Sequence, residues 1–175
     1  HHHQRAKDGE RGRDLIGAAP RRRASEQGLI VKGHSAHIGI RGPVYSKQDF
    51  ADDEDLGFTI VHCRDMDKLG VDGVLSQIHD RVGDMPVYVS IDIDGFDPSI
   101  APGTGTPSHG GFLYYEGLEL LAGLAKRGDI VGIDLVEVAP DYDHTGSTAI
   151  LAAQLLMNLI GRVLHQKQLR TQTKK

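Results

Sequence analysis

The sequence predicts an α/β fold built on a mainly parallel sheet, and three observations carry that expectation. Short apolar runs at residues 36–40, 58–62, 86–93 and 129–136 alternate with longer stretches whose apolar side chains recur at helical spacing. The run at 86–93 (PVYVSIDI) is apolar on both faces at its start, as a buried parallel strand reads. The composition holds 22 Gly against 5 Tyr, 4 Phe and no Trp, which suits many tight turns and a small aromatic core.

In chain order, residues 20–28 (PRRRASEQG) read as a short helix, opened by Pro20 and stopped by Gly28. Strand AHIGI follows at 36–40. Residues 41–57 read as a long loop, with Asp52, Asp53, Glu54 and Asp55 as a solvated acidic face. Strand FTIVH occupies 58–62. Residues 68–82 place Val71, Val74, Leu75, Ile78 and Val82 on one helical face. After strand 86–93 comes a Gly/Pro-rich loop at 95–113. A helix at 114–127 groups Leu118, Leu121, Ala122 and Ala125, and a fourth strand, DIVGIDLV, spans 129–136. A last helix at 146–165 offers Ile150, Leu151, Leu155, Asn158, Leu159 and Val163 to the interior. Strands that alternate with helices in this way make right-handed βαβ units. The expected organisation is an unmatched, disordered or aberrant segment at 1–19, a body at 20–165 and a polar tail at 166–175.

A length of 175 residues with 39% apolar content allows one domain or part of a larger one. The single cysteine, Cys63, excludes an internal disulfide framework and suits a reducing, cytoplasmic setting. No run of side chains reads as a membrane helix, so no membrane role is expected. The net charge of −4 is unevenly spread. Residues 84–143 hold eleven acids and two bases, whereas 144–175 hold five Lys/Arg and no acid. An acidic middle disfavours nucleic acid and favours cations, either metals or cationic substrates.

Two strands end in carboxylates, and open parallel sheets gather function at their carboxyl ends. In Ser90-Ile91-Asp92-Ile93-Asp94-Gly95-Phe96-Asp97-Pro98, alternation aims Asp92 and Asp94 into one space. Two like charges there raise a pKa or demand a cation, and carboxylates suit hard divalent ions. Asp97 reads as a turn residue ahead of Pro98. The following APGTGTP (101–107) combines stiffening prolines with glycines that let backbone approach a ligand. A phosphate cradle is the competing reading, but the loop lacks a P-loop lysine and sits among acids. Glu137 lies just past the fourth strand, either as a loop acid without a role or as a partner for a cationic group such as a guanidinium.

These segments resemble a known family. SIDIDGFDPSIAPGTGTPSHGG is similar to the second metal signature of the ureohydrolases, which include arginase, agmatinase and guanidinobutyrase. DLVEVAPDYDHTGSTAILAAQLL resembles the segment that follows it, and IGIRGPVYS resembles the agmatinase-like branch. The resemblance covers residues 20–165. It implies an arginase-like three-layer αβα fold, truncated at its N-terminal side. It implies two manganese ions, with Asp92 bridging them and Asp94 ligating one. Thr106 would lie near the substrate guanidinium and Glu137 would hold it. The implied reaction is metal-assisted hydrolysis of agmatine, or of a guanidino acid such as guanidinobutyrate, to urea and an amine. A homo-oligomer, trimeric or hexameric, is implied as well.

The family's earlier ligands, in Gly-Gly-Asp-His and Asp-x-His-x-Asp stretches, have no counterpart here. A truncated, frameshifted or cut form would explain that. The alternative expectation is a catalytically incomplete fragment that acts, if at all, through association. His37 and His62 are expected to be packed in strands and His79 and His165 to lie on helix surfaces. His109 and His144 lie in loops on the expected active side and are kept as candidates to line the site.

Overall fold

The computed structural model describes residues 19–42 and 48–173. The elements are α1 (Ala19–Glu26), β1 (Ser35–Ile40), α2 (Gln48–Asp55), β2 (Phe58–His62), α3 (Cys63–Val82), β3 (Pro86–Asp92), α4 (Tyr114–Arg127), β4 (Asp129–Val136) and α5 (Ser147–Thr173). Strand–helix alternation therefore stands as the sequence predicts. The expectation for residues 1–19 lies outside the described residues, except for Ala19, which opens α1.

The chain divides into two compact units. The smaller, which among the described residues comprises 19–37 and 48–60, contains α1 and α2. Within it the Ser25 hydroxyl donates to the Leu56 carbonyl at 3.2 Å, and the His37 ring stacks on Phe58 with centroids 4.4 Å apart. One sequence expectation fails here: part of the 41–57 loop is helix α2. Its acids crowd the last turn, where carbonyl dipoles disfavour negative charge, so the segment does not read as helical.

The larger unit, residues 38–42 and 61–175, carries the core. β3 and β4 pair in parallel from Pro86↔Asp129 to Asp92↔Val136. A bulge leaves Val131 without a partner between Val87↔Ile130 and Tyr88↔Gly132. β1 pairs with β2 in a second two-stranded sheet. One face of β3–β4 is covered by α3, α4 and α5 through Val74, Leu75, Leu120, Leu121, Ala125, Leu151, Leu155 and Leu159, all buried. Burying a side chain of this size stabilises by roughly 1.5–3 kcal/mol.

β3 departs from the buried-strand reading. Pro86, Tyr88 and Ser90 are exposed, and Tyr88 keeps 63% of its surface. The Tyr88 ring lies over Gly132, where it would clash with a Cβ, and its hydroxyl donates to Asp134 at 3.1 Å.

The helix expected from residue 68 starts earlier, at Cys63, and is broken at Gly70, which sits at φ 64°. α4 is capped by its own Glu116, whose carboxylate accepts the Leu113 N–H at 2.8 Å. α5 runs through the expected polar tail to Thr173, with residues 167–173 exposed. Of its inward candidates, Leu151, Leu155 and Leu159 are buried, but Ile150 is 59% exposed. Asn158 turns back to donate to the Gln154 carbonyl. α5 is long and apolar enough to cross a membrane by length and hydropathy, contrary to the sequence reading. Its leucine row Leu151, Leu155 and Leu159 is buried against α4 and β4, whereas Ile150, Met157, Ile160 and Leu164 on the same helix are exposed.

Candidate active site

The loop after β3 carries the site. Asp92 ends the strand, and its carboxylate accepts the Asp94 N–H at 3.2 Å, which caps a single 3-10 turn at Ile93–Gly95. Ile93 is fully buried, which anchors the turn between the two aspartates. Thr106 returns across the loop and donates its hydroxyl to Asp94 Oδ2 at 2.8 Å.

The Gly/Pro loop is zipped to the segment after β4. Thr104 bridges Val138 in antiparallel fashion, and the Ala139 N–H donates to the Gly103 carbonyl at 2.8 Å. This pairing carries Glu137 to the site. Glu137 stands at φ 65°, the one non-glycine residue with positive φ among the described residues. That conformation costs a residue with a Cβ about 1–3 kcal/mol and is retained where surrounding structure imposes it.

Burial and the neighbouring Asp94 charge push the Asp92 carboxyl up to about 7, and the Glu137 charge adds to the rise. Asp92, Asp94, Thr106 and Glu137, the four residues singled out from sequence, are thus brought together. His109 and His144 are exposed. His37 and His62 are half-buried, and His79 and His165 lie on helix surfaces, as expected.

Asp97 is a turn residue. Its carboxylate accepts the Ser99 N–H at 3.0 Å and the Gly110 N–H at 2.9 Å. Hydrogen bonds from Ser99, and then from Gly110, hold it below the usual carboxylate range.

Three supports escaped the sequence reading. Asp143 accepts the Thr148 N–H at 2.6 Å and the Thr145 hydroxyl at 3.1 Å, fixing the start of α5. Burial acts to raise its pKa, but these hydrogen bonds prevail and lower it. The buried Thr148 hydroxyl accepts the Gly103 N–H at 2.8 Å. Residue 103 must be glycine because a Cβ there would lie 2.5 Å from Asp143 Cβ. Arg41, beyond β1, reaches into the same loop. Neither an acid that accepts an N–H five residues on nor a long-range arginine contact leaves a local sequence signal.

The donors fit a hard cation in type: two carboxylates share a space, and burial together with the Asp94 charge makes Asp92 resist ionisation. They supply one wall only. Among the described residues, no group of three or more His, Cys, Asp or Glu is arranged to hold a metal ion.

A parallel α/β sheet with paired aspartates at the end of one strand and a glutamate just past the next groups three carboxylates at one edge. The chain belongs to the arginase family, whose model matches residues 2–161. It is 47% identical over 141 residues to putative agmatinase 3 of Schizosaccharomyces pombe, covering 81% of this chain and 34% of that protein. It is 43% identical over 142 residues to guanidinopropionase of Pseudomonas aeruginosa, covering 81% and 44%. Among solved structures it resembles proclavaminate amidino hydrolase from Streptomyces clavuligerus, with TM-score 0.75, 40% identity, and coverage of 84% of this chain and 48% of that one. The chain thus spans less than half the length of these relatives.

Proposed function

We propose that this chain carries the Asp92/Asp94 and Glu137 half of a guanidino-hydrolase site, acting on agmatine or a guanidino acid such as guanidinobutyrate to release urea and an amine. The observation that carries this reading is the convergence of Asp92, Asp94, Thr106 and Glu137 on one acidic space. The agmatinase and guanidinopropionase relatives support the substrate class. In this reading Asp92 and Asp94 hold manganese. A divalent ion, when bound, lowers the pKa of water and supplies a nucleophile near neutral pH.

The chain's own residues do the rest. Glu137 offers a planar carboxylate to which a guanidinium donates two parallel hydrogen bonds. Its imposed φ fixes the carboxylate's direction before substrate arrives. Thr106 holds Asp94 by one oxygen and leaves the other for the cation. The acidic field of residues 84–143 draws a cationic substrate in and disfavours nucleic acid. A cytoplasmic setting and a trimeric or hexameric assembly belong to the same reading.

A second reading is favoured by one observation, the open side of the cation site among the described residues. In it the chain is a catalytically incomplete fragment. One experiment separates the two. Urea release is measured with Mn2+ and agmatine, guanidinobutyrate or arginine, for this chain and for this chain fused to the preceding region of the fungal relative. Urea from the fusion establishes the hydrolase reading. No urea from any substrate in either form sinks it.

A further inference from the structure

We infer that Arg41 is a positioning residue for the Asp92/Asp94 cation site, acting as a clamp on both ends of the loop that carries it. The inference rests on the guanidino-hydrolase reading for its purpose, but its geometry stands apart from it.

Arg41 leaves the end of β1 and spends its planar guanidinium on main-chain carbonyls. Nε donates to Ser108 O at 3.0 Å, and Nη1 donates to Gly95 O at 3.2 Å. Nη2 donates to Phe96 O at 3.0 Å, to Ser108 O at 2.7 Å and to Asp94 O. The accepting groups belong to two segments. One is the turn that Asp94 itself occupies; the other is the far end of the Gly/Pro loop, beyond Thr106. The clamp therefore brackets the Thr106–Asp94 hydrogen bond on both sides.

The fit is tight. A Cβ at Gly111 would lie 2.6 Å from Arg41 Nη2 and 2.6 Å from the Phe96 carbonyl carbon. Next to the clamp, Asp97 N–H donates to Phe112 O and Phe112 N–H donates to Gly95 O, both at 3.0 Å. No carboxylate forms an ion pair with Arg41 among the described residues. Its charge faces carbonyls and the neighbouring Cys63 thiol, and it forms no ion pair with Asp92 or Asp94.

Lysine keeps the charge but offers one ammonium in place of a fork, so it cannot span Gly95 O and Ser108 O together. Asp94 then loses its fixed place relative to Asp92. Residues that orient metal ligands without touching the metal change affinity by roughly 10- to 100-fold when replaced.

The test uses the 175-residue chain. Mn2+ binding is followed by the paramagnetic resonance signal of the free ion, which reports weak as well as tight association. Amide exchange is followed by NMR. Arg41→Lys is expected to weaken Mn2+ binding by roughly 10- to 100-fold. It is also expected to speed exchange at Asp94, Phe96 and Phe112 while helix α4 keeps its protection. Arg127→Lys, which changes an exposed pair with Asp72, serves as the control and should do neither.

Unchanged Mn2+ binding and unchanged exchange in Arg41→Lys would overturn the clamp. If Mn2+ binding to the parent chain is too weak to compare, the exchange result decides alone. If Arg41→Lys does not fold, the parent chain decides. Resolved, slowly exchanging Arg41 Nη protons uphold the clamp, and a single averaged, fast-exchanging signal overturns it. Absence of urea release leaves these results intact and counts only against the hydrolase reading.

Discussion

Thr106 donates its hydroxyl to Asp94 Oδ2 at 2.8 Å, closing a loop twelve residues long over the end of β3. That bond makes the two-aspartate strand and the Gly/Pro loop a single device. It satisfies one oxygen of a carboxylate that faces another acid, and it holds the loop down without adding charge. Asp92 accepts the Asp94 N–H, and burial with the Asp94 charge makes it resist ionisation.

Asp92 therefore makes stability depend on pH. Burial, and then the charge of Asp94, raise its carboxyl from 3.8 to about 7 in the folded chain. The folded state then holds more protons than the unfolded state between those values. The contribution of Asp92 is fully present below the unfolded value and is lost as pH rises through the folded one. Asp92→Asn removes this dependence. Thermal midpoints of the parent and the variant, taken at about pH 5 and about pH 8, should show the variant gaining relative stability at the higher pH. Parallel curves would show that Asp92 ionises normally. Cation binding should also release a proton near neutral pH, read by calorimetry in two buffers of different ionisation enthalpy.

Much of this site was legible in the sequence because the signals are local. Asp92 and Asp94 alternate on a strand, and APGTGTP announces a stiff loop. The left-handed backbone of Glu137 was not legible. Nothing in VEVAP says that a carboxylate occupies a conformation glycine would take more cheaply. Arg41 escaped because its partners lie up to 67 residues away. The α5 spacing places Ile150 among the inward candidates, whereas packing chose the Leu151, Leu155 and Leu159 row and left Ile150 outside. Tyr88 and Ser90 are exposed in the same way, although the run around them predicts burial. An apolar run predicts burial, but burial also needs an element to cover it.

Glu137 allows stability and chemistry to be separated. Glu137→Gly relieves the positive φ and should raise stability by about 1 kcal/mol, seen in chemical denaturation of this chain. In the active fusion, Glu137→Gln keeps the shape and loses the charge that a guanidinium pairs with. Catalytic efficiency should fall on the order of 10- to 100-fold, with Mn2+ binding preserved. Unchanged efficiency would reduce Glu137 to a loop acid.

The support behind the loop should fail in a graded way. Gly103→Ala places a methyl 2.5 Å from Asp143 Cβ and 3.0 Å from Thr148 Oγ1, both parts of a fixed helix start. A loss of about 1–3 kcal/mol is expected. Thr148→Val preserves shape but strips the Gly103 N–H of its acceptor in a buried place, again worth about 1–3 kcal/mol. The two share one contact, so the double variant should cost less than the sum. Additive losses in urea unfolding would mean that residues 103 and 148 act independently.

The last prediction concerns this chain by itself: it should bind Mn2+ weakly and release no measurable urea. Asp92 and Asp94 present oxygen from one wall, and among the described residues no further His, Cys, Asp or Glu completes a holding group. A cation on one wall stays largely hydrated, and its waters keep an ordinary pKa, so no nucleophile forms at neutral pH. Burial and the Asp94 charge both favour a proton on Asp92, so a weakly held ion must compete with that proton. Calorimetric titration of Mn2+ into the purified chain, with a urea assay on the same sample, checks both halves of the prediction. Tight binding of two ions, or turnover, would mean that ligands come from outside the described residues or from a second copy of the chain. The fusion to the upstream region of the fungal relative would then show no gain in affinity, whereas a one-walled site predicts a large one.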